Sequence, residues 1–262
     1  MLLSGTAVYG TTGSGGTNGS GSVFAVNTDG SGFTNLYNFT GGDDGAGTNA
    51  GLALLGDTLY GTTTGGGTLG FGSIFSICTN GTSFTNLYNF TGGADGANPI
   101  ATLMLLGRTL YGTATAGGTN GNGTVFAINT DGTHFVVMHS FTALSAPAIN
   151  GGTNIDGADP NGGLSLWQNR LIGTTRYGGT NGYGTIFSLT LPLPPQLTIT
   201  PWGGNVLLTW PTNDTVYTLE CATNLGPPAA WVPVSPAPAV VAGQNTVTNP
   251  VASRQMFYRL SQ

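Results

Sequence analysis

The side chains that could do chemistry in this chain are mostly aspartates, and they recur. Asp44-Gly45-Ala46, Asp95-Gly96-Ala97-Asn98-Pro99 and Asp156-Gly157-Ala158-Asp159-Pro160 spell one short pattern three times. A carboxylate beside amide and carbonyl oxygens is the hard donor set that Ca²⁺ prefers. That makes Asp44, Asp95, Asp156 and Asp159 the metal candidates, for a weak calcium site. The acidic spacing of an EF-hand loop is missing, however. An aspartate accepting hydrogen bonds within its own turn accounts for the same recurrence. A glycosidase would place two carboxylates across a cleft, whereas repeat-equivalent aspartates suit a scaffold. A polysaccharide hydrolase or lyase drawing on these loops is therefore the alternative, and the preferred reading is non-enzymatic, with no cofactor.

The other reactive groups add little. His134 and His139 are the only histidines. They stand five apart beside or on one strand, where odd spacing sends side chains to opposite faces. His139 occupies the slot of Tyr37 and Tyr88. Cys78 and Cys221 lie 221−78=143 residues apart, and Cys78 takes the place of Asn27 and Asn129, so no disulfide framework is expected. The glycine tracts precede strands, not helices, which argues against a phosphate-cradling loop. Tyr9, Tyr60, Tyr111, Tyr177 and Tyr183 sit near Gly/Thr/Asn-rich turns. Rings in such company can stack on a polysaccharide; packing between sheets is the plainer role for them.

What positions these residues is a repeat. The decapeptide FTNLYNFTGG stands at 33–42 and again at 84–93. Val8-Tyr9-Gly10 returns as Leu59-Tyr60-Gly61, Leu110-Tyr111-Gly112 and Leu171-Ile172-Gly173, at steps of 59−8=51, 110−59=51 and 171−110=61. The longer last step reflects the insertion ALSAPAINGGTN at 143–154. One unit reads as four short strands: in the second repeat GLALLG (51–56), TLYGTTT (58–64), GSIFSIC (72–78) and FTNLYNF (84–90). Gly56-Asp57 and Gly107-Arg108 turn the first strand into the second. Asp29-Gly30, Asn80-Gly81 and Asp131-Gly132 turn the third into the fourth, because both residues tolerate positive φ. In FTNLYNF, strict alternation puts Phe84, Tyr88 and Phe90 on one face and Leu87 on the other. No 3.6-residue apolar period appears, so essentially no helix is expected. Four-stranded units of about 50 residues, unable to bury themselves alone, are what propeller blades look like in sequence.

Composition sets the remaining bounds. Only 6% of residues are charged, with five arginines, no lysine, a single glutamate (Glu220) and a net charge of −5. With no basic cluster, nucleic acid and anionic membrane surfaces are poor partners. No apolar run reaches the length of a membrane helix, and MLLSGTAVYG has no basic residue, so it does not read as a secretory signal.

The motif LYGTT…GG…G.VF.INTDG..F..LYNFTGG.DGANP resembles the tandem Gloeobacter/Verrucomicrobia (GloVer) repeat, with a layout similar to a kelch blade. The resemblance covers residues 1–191. It implies an all-β propeller, with blades at about 1–49, 50–98, 99–161 and 162–191, and an extracellular or cell-surface location. The first and last blades read as incomplete: LLSGTAVYG enters inside a blade, and GTIFSLTL (184–191) has no successor strand. An open arc of a larger propeller is expected in preference to a closed four-blade ring, with self-association through raw blade edges. LPLPP (191–195) is a PPII-prone linker. Beyond it, 192–262 reads as a small sandwich of alternating strands, in which Trp210 and Tyr217-Thr218-Leu219 resemble a fibronectin type III module. The function expected is adhesion or matrix interaction, with a polysaccharide or a surface protein as partner; polysaccharide binding through the tyrosines is the non-catalytic alternative.

Overall fold

A computed structural model describes all residues except 149–150, 193–194, 213–216, 227–229, 251–254 and 262. The chain divides into two compact units, Met1–Leu191 and Pro192–Gln262. Residues 193–194 of the Pro-rich linker lie outside the described residues.

The first unit is built from four small antiparallel sheets, taken in chain order. The first holds β1 (Leu2–Ser4), β2 (Ala7–Thr12), β3 (Ser22–Asn27) and β4 (Thr34–Asn38). The second holds β5 (Ala53–Leu55), β6 (Thr58–Thr63), β7 (Ser73–Cys78) and β8 (Thr85–Asn89). The third holds β9 (Met104–Leu106), β10 (Thr109–Ala114), β11 (Thr124–Asn129) and β12 (Val136–Ser140). The fourth has three strands, β13 (Ser165–Trp167), β14 (Arg170–Thr174) and β15 (Ile186–Thr190). Every sheet runs as a meander, and no α-helix occurs among the described residues. The first sheet has four strands, as the second and third do, where a truncated blade was expected. Its β1 has three residues, as do β5, β9 and β13.

Successive sheets pack face to face, which makes the unit propeller-like. Val23 and Phe39 of the first sheet meet Leu59, Phe75 and Ile77 of the second. Ile74 and Phe90 of the second meet Leu110, Phe126 and Ile128 of the third. Val125 and Phe141 of the third meet Leu171 and Phe187 of the fourth. Phe39, Phe75, Phe90, Phe126 and Phe141 are fully buried, and each such ring contributes about 1.5–3 kcal/mol by leaving water. The seams carry a second, aromatic clasp. Tyr37 stacks on Phe84 at 3.9 Å between centroids, and Tyr88 on Phe135 at 3.8 Å.

That clasp corrects the simple alternation read from FTNLYNF. Leu87, Tyr88 and Phe90 all pack toward the third sheet, and Phe84 toward the first. The cause is a β-bulge: Ile74 pairs with Tyr88 and Phe75 with Asn86, which leaves Leu87 as an extra residue. An inserted residue shifts the side-chain alternation by one, so Leu87 and Tyr88 share a face. The same bulge falls at Leu36 and at Met138.

One glycine position explains the Tyr-Gly and Ile-Gly pairs. A Cβ on Gly10, Gly61, Gly112 or Gly173 would lie 2.4–2.5 Å from the tip of the ring of Phe24, Phe75, Phe126 or Phe187. The cross-strand phenylalanine lies over a bare backbone, and no other residue leaves room for it.

The second unit has two sheets, β16 (Thr198–Trp202), β17 (Asn205–Pro211), β21 (Gln244–Pro250) and β20 (Ala239–Val241) in one, and β19 (Val232–Pro233), β18 (Thr218–Ala222) and β22 (Phe257–Ser261) in the other. Leu208, Trp210, Leu219 and Val247 form its core. No apolar/polar alternation in the sequence announces β20, Ala-Val-Val. Its hairpin to β21 turns on Ala242 (φ 50°) and Gly243 (φ 74°), a two-residue turn with both φ positive, which an alanine in first place disguises.

Candidate functional site

The recurrent aspartates sit where each sheet passes its chain to the next, and each is held the same way. Asp44 accepts hydrogen bonds from the backbone N–H of Thr40 (2.8 Å), the Thr40 hydroxyl and the Tyr37 hydroxyl (3.1 Å). Asp95 accepts the corresponding three from Thr91 N–H (2.8 Å), the Thr91 hydroxyl and Tyr88 (3.0 Å). Asp156 accepts from the N–H and hydroxyl of Thr142, with His139 Nε2 at 2.9 Å in the tyrosine's place. Tyr, Tyr and His occupy one slot because each can bring a ring donor to the same carboxylate oxygen.

The Gly-Ala that follows each aspartate is equally local in purpose. Gly45, Gly96 and Gly157 have φ of 108°, 112° and 96°, and a Cβ there would strike Thr63, Thr124 or Ala114, and Thr175 respectively. Ala46, Ala97 and Ala158 then exchange paired backbone hydrogen bonds with Gly65, Ala116 and Tyr177 of the following sheet, at 2.8–3.1 Å. Asp-Gly-Ala is thus a stitch between sheets: a capped turn, a bare left-handed residue, and a backbone bridge.

These contacts shape the titration of the tyrosines. Burial, then the charge of Asp44, pushes the Tyr37 hydroxyl up to about 12; burial, then its hydrogen bond to Asp95, raises that of Tyr88 from the ordinary 10.0. A group whose folded value is raised favours the folded state most below its unfolded value. Stability from this source is therefore complete below about pH 10 and falls as pH rises toward 12. Urea unfolding at stepped alkaline pH should show that decline, and a Tyr37→Phe/Tyr88→Phe variant should flatten it.

Asp159 stands apart from the stitch. It replaces Asn98 at a position with φ near 56°, and burial raises its carboxyl while Arg176, 3.9 Å away, opposes that shift. Among the described residues no three His, Cys, Asp or Glu side chains gather as a metal set. The four acidic candidates are not brought together as one: Asp44, Asp95 and Asp156 lie in three separate loops with their oxygens engaged. His134 lies in a turn at φ 54° and touches Asn129 and Thr133. Cys78 and Cys221 are free thiols.

The tyrosines divide. Tyr9, Tyr60 and Tyr111 share one register on β2, β6 and β10 and pack into the seams between sheets. Tyr60 is only 5% exposed, so its ring meets protein. Tyr177 is half-buried under Arg176, whose guanidinium lies 5.0 Å from the ring centre. Tyr183 projects, 90% exposed.

Repeat-equivalent positions differ in exposure at the first and fourth sheets. Leu59, Leu110 and Leu171 are fully buried by the preceding sheet, but the matching Val8 has no such cover and stays half-exposed. Phe84 and Phe135 each stack on a tyrosine, whereas the matching Phe33 is 64% exposed. At the other end Ile186 is 74% exposed, where Val23, Ile74 and Val125 are fully buried. The repeat alignment held that signal, since equal residues at unequal places in the series must find unequal neighbours.

Known structures resemble the chain only distantly. A chain of a nidogen/laminin complex superposes with a TM-score of 0.45 at 20% identity, over 78% of this chain and 68% of that one. TolB from Acinetobacter baumannii gives 0.39 at 14% identity over 74% of this chain, which spans 47% of TolB. A putative 6-phosphogluconolactonase from Bacteroides uniformis gives 0.38 at 13% identity, over 94% of this chain and 68% of that one. No curated protein matches. The model of the Gloeobacter/Verrucomicrobia repeat matches residues 2–200. On that match, across most of its length, the chain belongs to the Gloeobacter/Verrucomicrobia repeat family.

Proposed function

We propose that this is a non-enzymatic, secreted or cell-surface repeat protein whose sheets serve adhesion or matrix interaction. The observation that carries the reading is the fate of the carboxylates. The three that recur make the same contacts within their own loops, each accepting from a threonine N–H and hydroxyl and facing a Tyr or His ring. Incubation with a panel of polysaccharides is expected to release no reducing ends. Turnover that Asp95→Asn abolishes would overturn the reading in favour of a hydrolase or lyase.

On this reading the four sheets are propeller blades in an open arc, and the second unit is a fibronectin type III-like module. The uncovered Phe33 face and the exposed Ile186 end support an arc. Apolar end faces, and a β15 edge with no strand partner among the described residues, favour self-association. Light scattering on the purified chain should give a mass above the 26.4 kDa of one copy, lowered toward it by Phe33→Ser with Ile186→Thr. A monodisperse monomer with the scattering profile of a closed ring would sink the arc. Polysaccharide binding by tyrosine rings is a second reading, favoured at one place alone, the projecting Tyr183.

A further inference from the structure

The second unit carries a surface of a different character. In its four-stranded sheet, Leu208, Trp210 and Val247 point into the core. Residues paired directly across strands share a face, so the opposite face can be read from the register. It holds Thr198, Thr209 and Thr246 in one row across β16, β17 and β21, and Thr200 and Thr248 in the next row, flanking Leu207. Trp202 closes β16 at one end of this face and is 62% exposed.

We infer that this face binds a neutral polysaccharide, with Trp202 as the stacking platform and the threonine rows as the hydroxyl-matching surface. Four observations on the face favour that occupant. No strand of this sheet carries a charged residue or a histidine. Among the described residues of this unit the charged pair, Glu220 and Arg259 at 2.8 Å, lies on the other sheet. Among the described residues only Thr246 of the five spends its hydroxyl within the protein, on the Gln244 carbonyl at 3.4 Å. In the first row the threonines stand on adjacent strands, about 4.8 Å apart, and in the second Thr200 and Thr248 stand two strands apart on either side of Leu207.

The chemistry matches on both sides. A hydroxyl both donates and accepts, as sugar hydroxyls do, so the rows can pair with a sugar edge in either sense. The apolar C–H face of a pyranose ring stacks on an indole, which offers a large area with little rotamer freedom to lose. Among the described residues of this sheet an ionic polymer would find no counter-charge. A protein partner would leave these hydroxyls to be desolvated without assured partners. The inference stands on the second unit alone and uses none of the tyrosines of the first.

Affinity electrophoresis of the full chain tests it, in native gels containing hydroxyethylcellulose, glucomannan, xylan or laminarin, with alginate as the charged contrast. Retardation is expected in at least one neutral gel and not in alginate. Trp202→Ala, a change at an exposed position, should weaken it about tenfold. Thr200→Val/Thr248→Val, which keeps β-branched shape and removes two hydroxyls, should weaken it several-fold while the unfolding midpoint stays in place. Tyr183→Ala should leave it unchanged. Absence of retardation in every neutral gel would overturn the inference. So would retardation that survives Trp202→Ala, that is lost in Tyr183→Ala, or that is stronger in alginate.

Discussion

Gly61→Ala is expected to destabilise the first unit by about 3 kcal/mol, although it adds a single methyl group. That methyl would sit 2.5 Å from Cζ of Phe75 and 2.9 Å from Cδ2 of Leu52. Neither neighbour can yield. Phe75 is fully buried, with Phe39 edge-on at 5.2 Å and Phe84 at 5.8 Å. Phe75→Ala alone should cost about 3–5 kcal/mol through lost burial and the cavity left behind. The double variant should cost less than the sum by at least about 1 kcal/mol, because the new methyl then enters vacated space. The position in the series matters too. Gly10→Ala should be milder, since Phe24 is only half-buried at the uncovered face and its ring can move aside. Urea unfolding of the variants tests the argument. Strict additivity at Gly61 and Phe75 would show that the ring and the glycine are not coupled.

Asp95→Ala should cost about 2–3 kcal/mol, an estimate from three hydrogen bonds to a charged acceptor partly offset by water. The Thr91 N–H, the Thr91 hydroxyl and the Tyr88 hydroxyl would all lose their acceptor. Asp44→Ala should behave alike to within about 1 kcal/mol, and Asp156→Ala should also destabilise, although its partner Thr142 lies 14 residues back instead of four and His139 replaces the tyrosine. Equivalence is the informative part. A catalytic or metal-binding carboxylate would be singular among the three, with a functional loss out of proportion to its thermal shift. If Asp95→Ala left the unfolding midpoint unmoved, the turn would no longer account for the recurrence.

Much of this was legible in the residues. The 51-residue step, the Asx-Gly turns and the Gly-rich connections set out the strands of the first unit to within a residue or two. Such turns depend on backbone φ alone, and φ preference is a property of single residues. The placing of His139 in the tyrosine slot was legible for the same reason, since a repeat transfers one position's neighbours to the next.

The faces were less legible. Leu87 shares its side with Tyr88 because of a bulge, and a bulge depends on the partner strand, which the local pattern does not contain. The strand Ala239–Val241 was hidden because its turn begins on an alanine. The role of each Tyr-Gly pair was hidden as well, since the ring that covers the glycine comes from the neighbouring strand, 14 residues on in each repeat (24−10=14, 75−61=14).

By itself, then, the amino-acid sequence determined the periodicity, the turns and the chemistry held in reserve: few charges, recurrent aspartates, many hydroxyls. Only the tertiary structure decided where that chemistry points. It turned the aspartates inward to their own turns, buried Tyr60 while leaving Tyr183 in solvent, left Phe33 without the tyrosine its repeats enjoy, and set five threonines beside Trp202 on one face. The physical reason is common to all four. Identity along the chain is local, but burial and cross-strand register are set by what packs against a residue from elsewhere in the chain.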